Sequence, residues 1–369
     1  MNKDIWHYSR QALAKQVLGM FESGLSNALV FFAPRRMGKT EFLLKDMEPY
    51  SIKHGWHVHY FSFLDVSENA KEAFTSALIN FAITLGSIKS EKLLKHIKKI
   101  EGGISGIHAG FEFRDLEHVQ ITLKEIMEKL AKKPGKILLL MDEVQVLSRD
   151  KKNKNFIAAL RTTLDVHKSA IKVIFTGSSR EGLRRMFSKS DVPFFHFGQN
   201  LPFPEFEQDF TDHMAAVYKK TTQRKIDKNV LWNLFLDIDK VPQLLRSLVE
   251  RLILHPDLTP EKAKNQLLEE IIENREYKEI WEKCSVIERL LIQTIMTEQG
   301  KLFSADKRKK MAKFMGIDEL PVSTLQSAVR SLQRKNIIGS LPKQGEYYID
   351  DPNFKSWLEH LAMEDEKNI

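Results

Sequence analysis

The chain has 369 residues, 42% hydrophobic and 29% charged, with a formal net charge of +8 and one cysteine, Cys284. That balance describes two or three globular domains with apolar cores and excludes a collagen, a disordered tail and a disulfide-stapled scaffold. No apolar run approaches the roughly 20 residues that cross a bilayer, and a lone thiol with no signal-peptide core is expected of a cytoplasmic protein.

The first two hundred residues alternate helical patterns with short apolar runs, which predicts a parallel sheet covered by helices on both faces. An amphipathic helix is expected over 9–21, a buried strand over 27–33 (NALVFFA) and a helix over 39–47. A second strand follows at 56–63, then helices over 69–84 and 115–132, the latter stopped by Pro134-Gly135. The segments 136–141 (KILLLM) and 171–176 (IKVIFT) read as fully apolar strands, and 194–201 as a fifth. Between the second and third strands, the Gly-rich stretch 101–113 reads as an inserted hairpin or flap. Beyond Pro202 and Pro204 helices take over at 205–220, 228–237 and 241–254. His255-Pro256-Asp257-Leu258-Thr259-Pro260 reads as a linker, because two prolines discourage a continuous helix.

Ala33-Pro34-Arg35-Arg36-Met37-Gly38-Lys39-Thr40 matches the phosphate-loop pattern G-x-x-x-x-G-K-[ST] except that Ala33 replaces the first glycine. The loop still works if Ala33 takes an ordinary backbone conformation at the strand end. Backbone N–H groups from Gly38 to Glu41 would then face a phosphate at a helix N-terminus. Lys39 would reach the β- and γ-phosphates of ATP, and the Thr40 hydroxyl would ligate magnesium. About a hundred residues on, a buried strand ends in Asp142-Glu143. Asp142 would hold the magnesium and Glu143 would orient and deprotonate the attacking water. The next strand ends Thr176-Gly177-Ser178-Ser179-Arg180. A polar group at that tip would lie between the loop and the acidic pair. Thr176, Ser178 and Arg180 all qualify, and a serine cap on the next helix explains the same letters.

With APRRMGKT, LLLMDEVQ and IFTGSS, the chain resembles the prokaryotic, archaeal-type P-loop ATPases, relatives of AAA+ initiators and of STAND signalling NTPases. The resemblance runs through nearly the whole chain. Ser9-Arg10-Gln11 is similar to the short motif that precedes the loop in those proteins. Val241-Pro242-Gln243-Leu244-Leu245-Arg246 resembles their lid, which implies that Pro242 packs near the adenine. Asp351-Pro352-Asn353-Phe354 with Trp357 is similar to the ending of their winged-helix domain. The implied organisation is an ATPase core over 1–204, a helical lid over 205–258 and a winged-helix domain over 259–369. The resemblance implies a trans-acting arginine finger near the position of Gln199, for which Arg184 and Arg185 are substitutes, though both read more simply as solvated helix residues.

Residues 286–343 hold eleven basic and five acidic side chains, so +6 of the +8 sits there. A long apolar-striped helix over 281–299, a basic helix over 304–314, a third helix from 321 to 335 and a hairpin around 342–345 give the elements of a winged helix. Gln326 and Arg330 lie on the hydrophilic side of the third helix, as a groove-reading face would. Lys307, Arg308, Lys309, Lys310 and Lys343 could meet the phosphates of double-stranded DNA. The competing reading makes this domain a packing or autoinhibitory module with a protein partner. A nucleotide-dependent homo-oligomer suits either reading. His54, His57 and His59 read as ordinary strand-region histidines, and Cys284 as a core residue.

Overall fold

The computed structural model describes residues 4–64, 69–88, 122–187, 192–298, 300–340 and 345–367. The expected flap at 101–113 and Lys343 lie outside the described residues. Strands β1 (Ala28–Phe32), β2 (His57–Ser62), β3 (Ile137–Asp142), β4 (Ile171–Gly177) and β5 (Gln199–Pro202) form one sheet in the order β2–β3–β4–β1–β5. Every pairing is parallel. β3 and β4 are buried along their whole length, and both faces of the sheet are covered, so they read as unbroken apolar runs.

Leu29 and Phe31 of β1, with Leu138 and Leu140 of β3, pack against helices α1 (Gln11–Glu22) and α2 (residues 39–53). The alternate residues Ala28, Val30, Ile137, Leu139 and Met141 face α3 (Ala70–Thr84), α4 (Leu123–Ala131) and α5 (Lys154–Val166). α6 (Arg180–Phe187) follows β4. Because the strands run the same way, the ends of β1, β3 and β4 deliver Ala33, Asp142 and Gly177 to one edge of the sheet.

The second half is helical: α7 (Gln208–Thr222), α8 (Lys228–Asp237), α9 (Pro242–Leu254), α10 (Pro260–Ile272) and α11 (Arg275–Glu282). Then come α12 (Val286–Thr297), α13 (Ala305–Phe314), α14 (Val322–Arg334), the antiparallel ribbon β6 (Ile338–Ser340) and β7 (Tyr347–Ile349), and α15 (Pro352–Lys367). One apolar core runs through all of them, from Phe210 to Leu358. The prolines at 256 and 260 end α9 and open α10, with the Thr259 hydroxyl accepting from the Lys262 N–H.

Four expectations need correction. The fifth strand begins at Gln199, five residues late: His196 and Gly198 have positive φ of 53° and 91°, and Phe194 and Phe197 instead join an aromatic cluster with Phe175. The helix expected over 115–132 does not run through Thr122, which is extended and forms a capping box with Glu125 at the start of α4; residues 115–121 lie outside the described residues. The long helix expected over 281–299 is two helices, broken where Ser285 forms a second capping box with Glu288. The helix expected from 205 starts at Gln208, which leaves Phe206 in the connecting segment.

Candidate nucleotide site

The loop after β1 turns on two left-handed residues, Arg36 at φ 65° and Gly38 at φ 82°. Glycine takes that conformation without a Cβ clash; arginine does not, so Arg36 is held there by its surroundings. Ala33 stays in ordinary backbone space, as the substitution of the motif's first glycine requires. Lys39 is 5% exposed, and its Nζ donates to the carbonyls of Ala33 at 2.7 Å and Pro34 at 2.8 Å. Burial lowers its pKa, while Glu143 and Asp142 pull the other way.

The Thr40 hydroxyl donates to Asp142 Oδ2 at 2.5 Å, and Tyr60 donates to the same oxygen at 3.0 Å. Thr176 donates to Asp142 Oδ1. A hydroxyl and a carboxylate converging in this way are the hard oxygen donors that magnesium takes, so the residues present fit that ion. Glu143 is left-handed, at φ 54° and ψ 37°. Its carboxylate accepts from Ser178 Oγ at 2.7 Å and from Gln145 Nε2. A non-glycine residue in that region at a sheet edge marks stored strain of the kind found at functional sites. Gly177 leaves room for the Gln145 side chain that donates to Glu143: a Cβ there would stand 2.3 Å from Gln145 Oε1.

Lys39, Thr40, Glu143 and Ser178 open onto a cavity of about 550 Å³, whereas Asp142 is buried and does not line it. Loop residues Arg35 to Glu41 line it with Glu143, Ser178 and Pro242. Ala33 and Pro34 do not line it; their carbonyls hold Lys39 instead. Thr176 points to Asp142, and the side chain of Arg180 lies outside the described residues.

Aromatic residues Trp6, Tyr8, Phe206 and Phe210 also line the cavity, with Arg246 lying over the Trp6 ring at 5.2 Å. Sequence reasoning named Arg246 only as part of the lid motif and missed the four aromatics. Their only signal was two aromatics ahead of the first helix and a phenylalanine after Pro204, a pattern shared with ordinary core residues.

An N-terminal strap carries Trp6 and Tyr8 across the site. Asp46, on the π-helical turn Phe42–Met47, accepts from His7 Nε2 at 3.1 Å, Ser9 Oγ at 2.8 Å and the Arg10 N–H at 3.1 Å. His7 Nδ1 meets Glu41 at 3.2 Å. Arg10 stacks on Phe206, 3.7 Å from its centroid. The hydrogen bond to Asp46, then that to Glu41, raise the His7 pKa to about 9, while His7 draws Glu41 down to about 2. The His7 contribution to stability is therefore complete below pH 6.5 and lost as pH rises through 9. We expect the melting temperature of the wild type to fall over that window relative to His7→Gln; parallel curves from pH 6 to 9 would show that the strap is not held by this charge.

The basic residues of the second half are placed unevenly. Lys307 is buried and donates to the Glu298 carbonyl at 3.0 Å; Lys310 pairs with Glu298 at 2.9 Å and Arg308 faces Glu319 at 3.9 Å. Lys309, Gln326 and Arg330 are exposed. No helix among the described residues is long and apolar enough to cross a membrane.

A family model for an ATPase domain predominantly from Archaea matches residues 8–233. The chain belongs to this ATPase family. Its fold is similar to that of a Walker-type ATPase of Pyrococcus abyssi, with a TM-score of 0.67 at 16% identity over 96% of both chains. It is also similar to the ORC2 protein of Aeropyrum pernix in its ADP form, with a TM-score of 0.51 at 13% identity over 96% of this chain and 93% of that one. At such identities the likeness is one of fold. No curated protein matches the chain. The archaeal-type ATPase membership expected from APRRMGKT and LLLMDEVQ is thereby established, and the α/β sheet of a P-loop ATPase with it.

Proposed function

We propose that this ATPase is a magnesium-dependent AAA+-type molecular switch of the cytoplasm that binds and hydrolyses ATP and acts with double-stranded DNA, as in replication, transposition or mobile-element maintenance. The observation that carries the catalytic part is the convergence of Lys39, Thr40, Glu143 and Ser178 on one cavity that aromatic residues also line, with Asp142 bonded to Thr40. Triphosphate suits the polar groups and adenine the aromatic ones, beside Pro242.

In this reading Lys39 leaves the Ala33 and Pro34 carbonyls for the β- and γ-phosphates. Thr40 and Asp142 would hold magnesium, which would supply charge neutralisation. A water oxygen attacks the γ-phosphorus, its proton passes to the Glu143 carboxylate, and the β–γ bridging oxygen leaves with ADP. Ser178 keeps Glu143 aimed. The A. pernix neighbour in its ADP form supports a nucleotide in this kind of fold.

The proposed domains are an ATPase core over 1–204, a lid over 205–258 and a winged helix within 259–369 formed by α12, α13, α14 and the β6–β7 ribbon. Its basic excess supports the DNA role. ATP hydrolysis measured with and without duplex DNA tests the whole proposal; no hydrolysis under either condition refutes it.

A second reading, a signalling or defence ATPase with an autoinhibitory winged helix and a protein partner, is favoured by one contact. Arg36 of the phosphate loop ion-pairs with Asp351 and lies 3.4 Å from the Tyr277 hydroxyl. Neighbouring Asp350 is buried, and burial lifts its pKa to about 6. Asp351→Asn keeps the acceptor for the Asn353 N–H, 2.9 Å away, but removes the charge facing Arg36. Severalfold faster release of a fluorescent ADP analogue is expected of this variant; an unchanged rate would mean that the pair does not restrain the loop.

A further inference from the structure

The Asp142 carboxylate is 2% exposed, and among the described residues each of its oxygens accepts two hydrogen bonds. Oδ1 takes the Thr176 hydroxyl and, at 3.1 Å, the Glu143 N–H; Oδ2 takes the hydroxyls of Thr40 at 2.5 Å and Tyr60 at 3.0 Å. None of these donors is a cation, and the Lys39 ammonium is bonded to the Ala33 and Pro34 carbonyls instead. Neutral donors fix a carboxylate while leaving its negative charge in place, which a paired ammonium would cancel. A buried carboxylate held in this way keeps its charge for a hard cation.

Thr40, Thr176 and Glu143 come from the phosphate loop and from the ends of β3 and β4. Tyr60 comes from β2, the outer strand of the sheet. Ser62 stands opposite Asp142 in the β2–β3 register. Tyr60, two positions earlier, shares that face, and its longer side chain reaches the carboxylate. Its ring packs against the apolar cluster that holds Leu138, Leu140 and Phe42. Phenylalanine would fill that place as well, so packing does not call for the hydroxyl. Tyr60 does not line the nucleotide cavity, so it can act on a bound metal only through Asp142.

We propose that Tyr60 is a positioning residue for the metal, its hydroxyl holding Asp142 Oδ2 so that the carboxylate and the Thr40 hydroxyl serve one magnesium ion. The proposal rests on the magnesium part of the function above and adds a residue that tunes how tightly the ion is held. A donor that is not itself a ligand stays on Oδ2 when Thr40 turns to the ion, and keeps the carboxylate from rotating away.

The test uses manganese(II) in place of magnesium on the full chain. Manganese is titrated into protein saturated with ADP, and the free ion is read by electron paramagnetic resonance. ADP affinity without metal is read separately by calorimetry in a chelator, and a thermal melt checks the fold. Tyr60→Phe is expected to bind manganese about 10- to 100-fold more weakly, the usual cost of losing a hydrogen bond to a metal-holding group. Its ADP affinity without metal should match that of wild type, a split that a general loosening of the fold would not produce. Unchanged manganese affinity in Tyr60→Phe would overturn the proposal alone, as would an equal fall in both affinities. A wild-type complex that takes up no manganese beyond what ADP binds in solution would overturn the magnesium reading and the proposal with it.

Discussion

Lys39→Ala is expected to weaken ATP binding by roughly a hundredfold or more, the loss of at least two charge-assisted bonds to phosphate. The side chain is already desolvated at 5% exposure and already donating to two backbone carbonyls. Moving it onto phosphate therefore exchanges neutral acceptors for charged ones at little further desolvation cost. Arg35 also lines the cavity, but it does not stand beneath the loop as Lys39 does. Calorimetry reads the affinity, and a thermal melt checks that the loop survives without the donor. Undiminished affinity in a folded variant would remove Lys39 from the site.

Glu143→Gln is expected to bind ATP normally and turn it over at least about 10²-fold more slowly, the usual contribution of a general base. The substitution is nearly isosteric. The glutamine oxygen can still accept from Ser178 Oγ, which stands 2.7 Å from the carboxylate. Binding should be spared, because the Glu143 carboxylate bonds to Ser178 and Gln145 and to none of the loop's N–H groups. Single-turnover hydrolysis measures the step directly, and an unchanged rate would assign the base elsewhere.

Much of the architecture was legible because its physics is local. Parallel strands covered on both faces must be apolar throughout, so KILLLM and IKVIFT announced β3 and β4. The loop and the acidic pair were legible because phosphate binding needs Gly38, Lys39 and Thr40 in unbroken succession after a strand. Local signals also existed where the reading failed. Ser285 and Glu288 spell a capping box, but the apolar stripe on either side outweighed it.

Other features could not be read locally. Trp6, Tyr8 and Phe206 line the cavity, yet an aromatic facing a pocket and one facing a core have the same letter and similar neighbours. The strap becomes visible only when His7, Ser9 and Arg10 are seen converging on Asp46, thirty-six to thirty-nine positions along the chain. Arg36 meets Asp351 across 315 positions. The lysine tract at 307–310 stood out in sequence as the anionic-partner surface, whereas the structure ties two of its members to Glu298 and gathers arginines from α6 and α14 at another place. Charge composition locates a basic segment; only tertiary packing decides which of its side chains meet solvent.

The most direct test of the central claim, that this cavity binds ATP and cleaves it through Glu143, is the identity of the nucleotide retained. Each protein is incubated with ATP and magnesium, desalted and denatured, and the released nucleotide is resolved by chromatography. Wild type should release mainly ADP, Glu143→Gln mainly ATP, and Lys39→Ala little of either. Equal ATP and ADP content in wild type and Glu143→Gln, or full occupancy in Lys39→Ala, would contradict it.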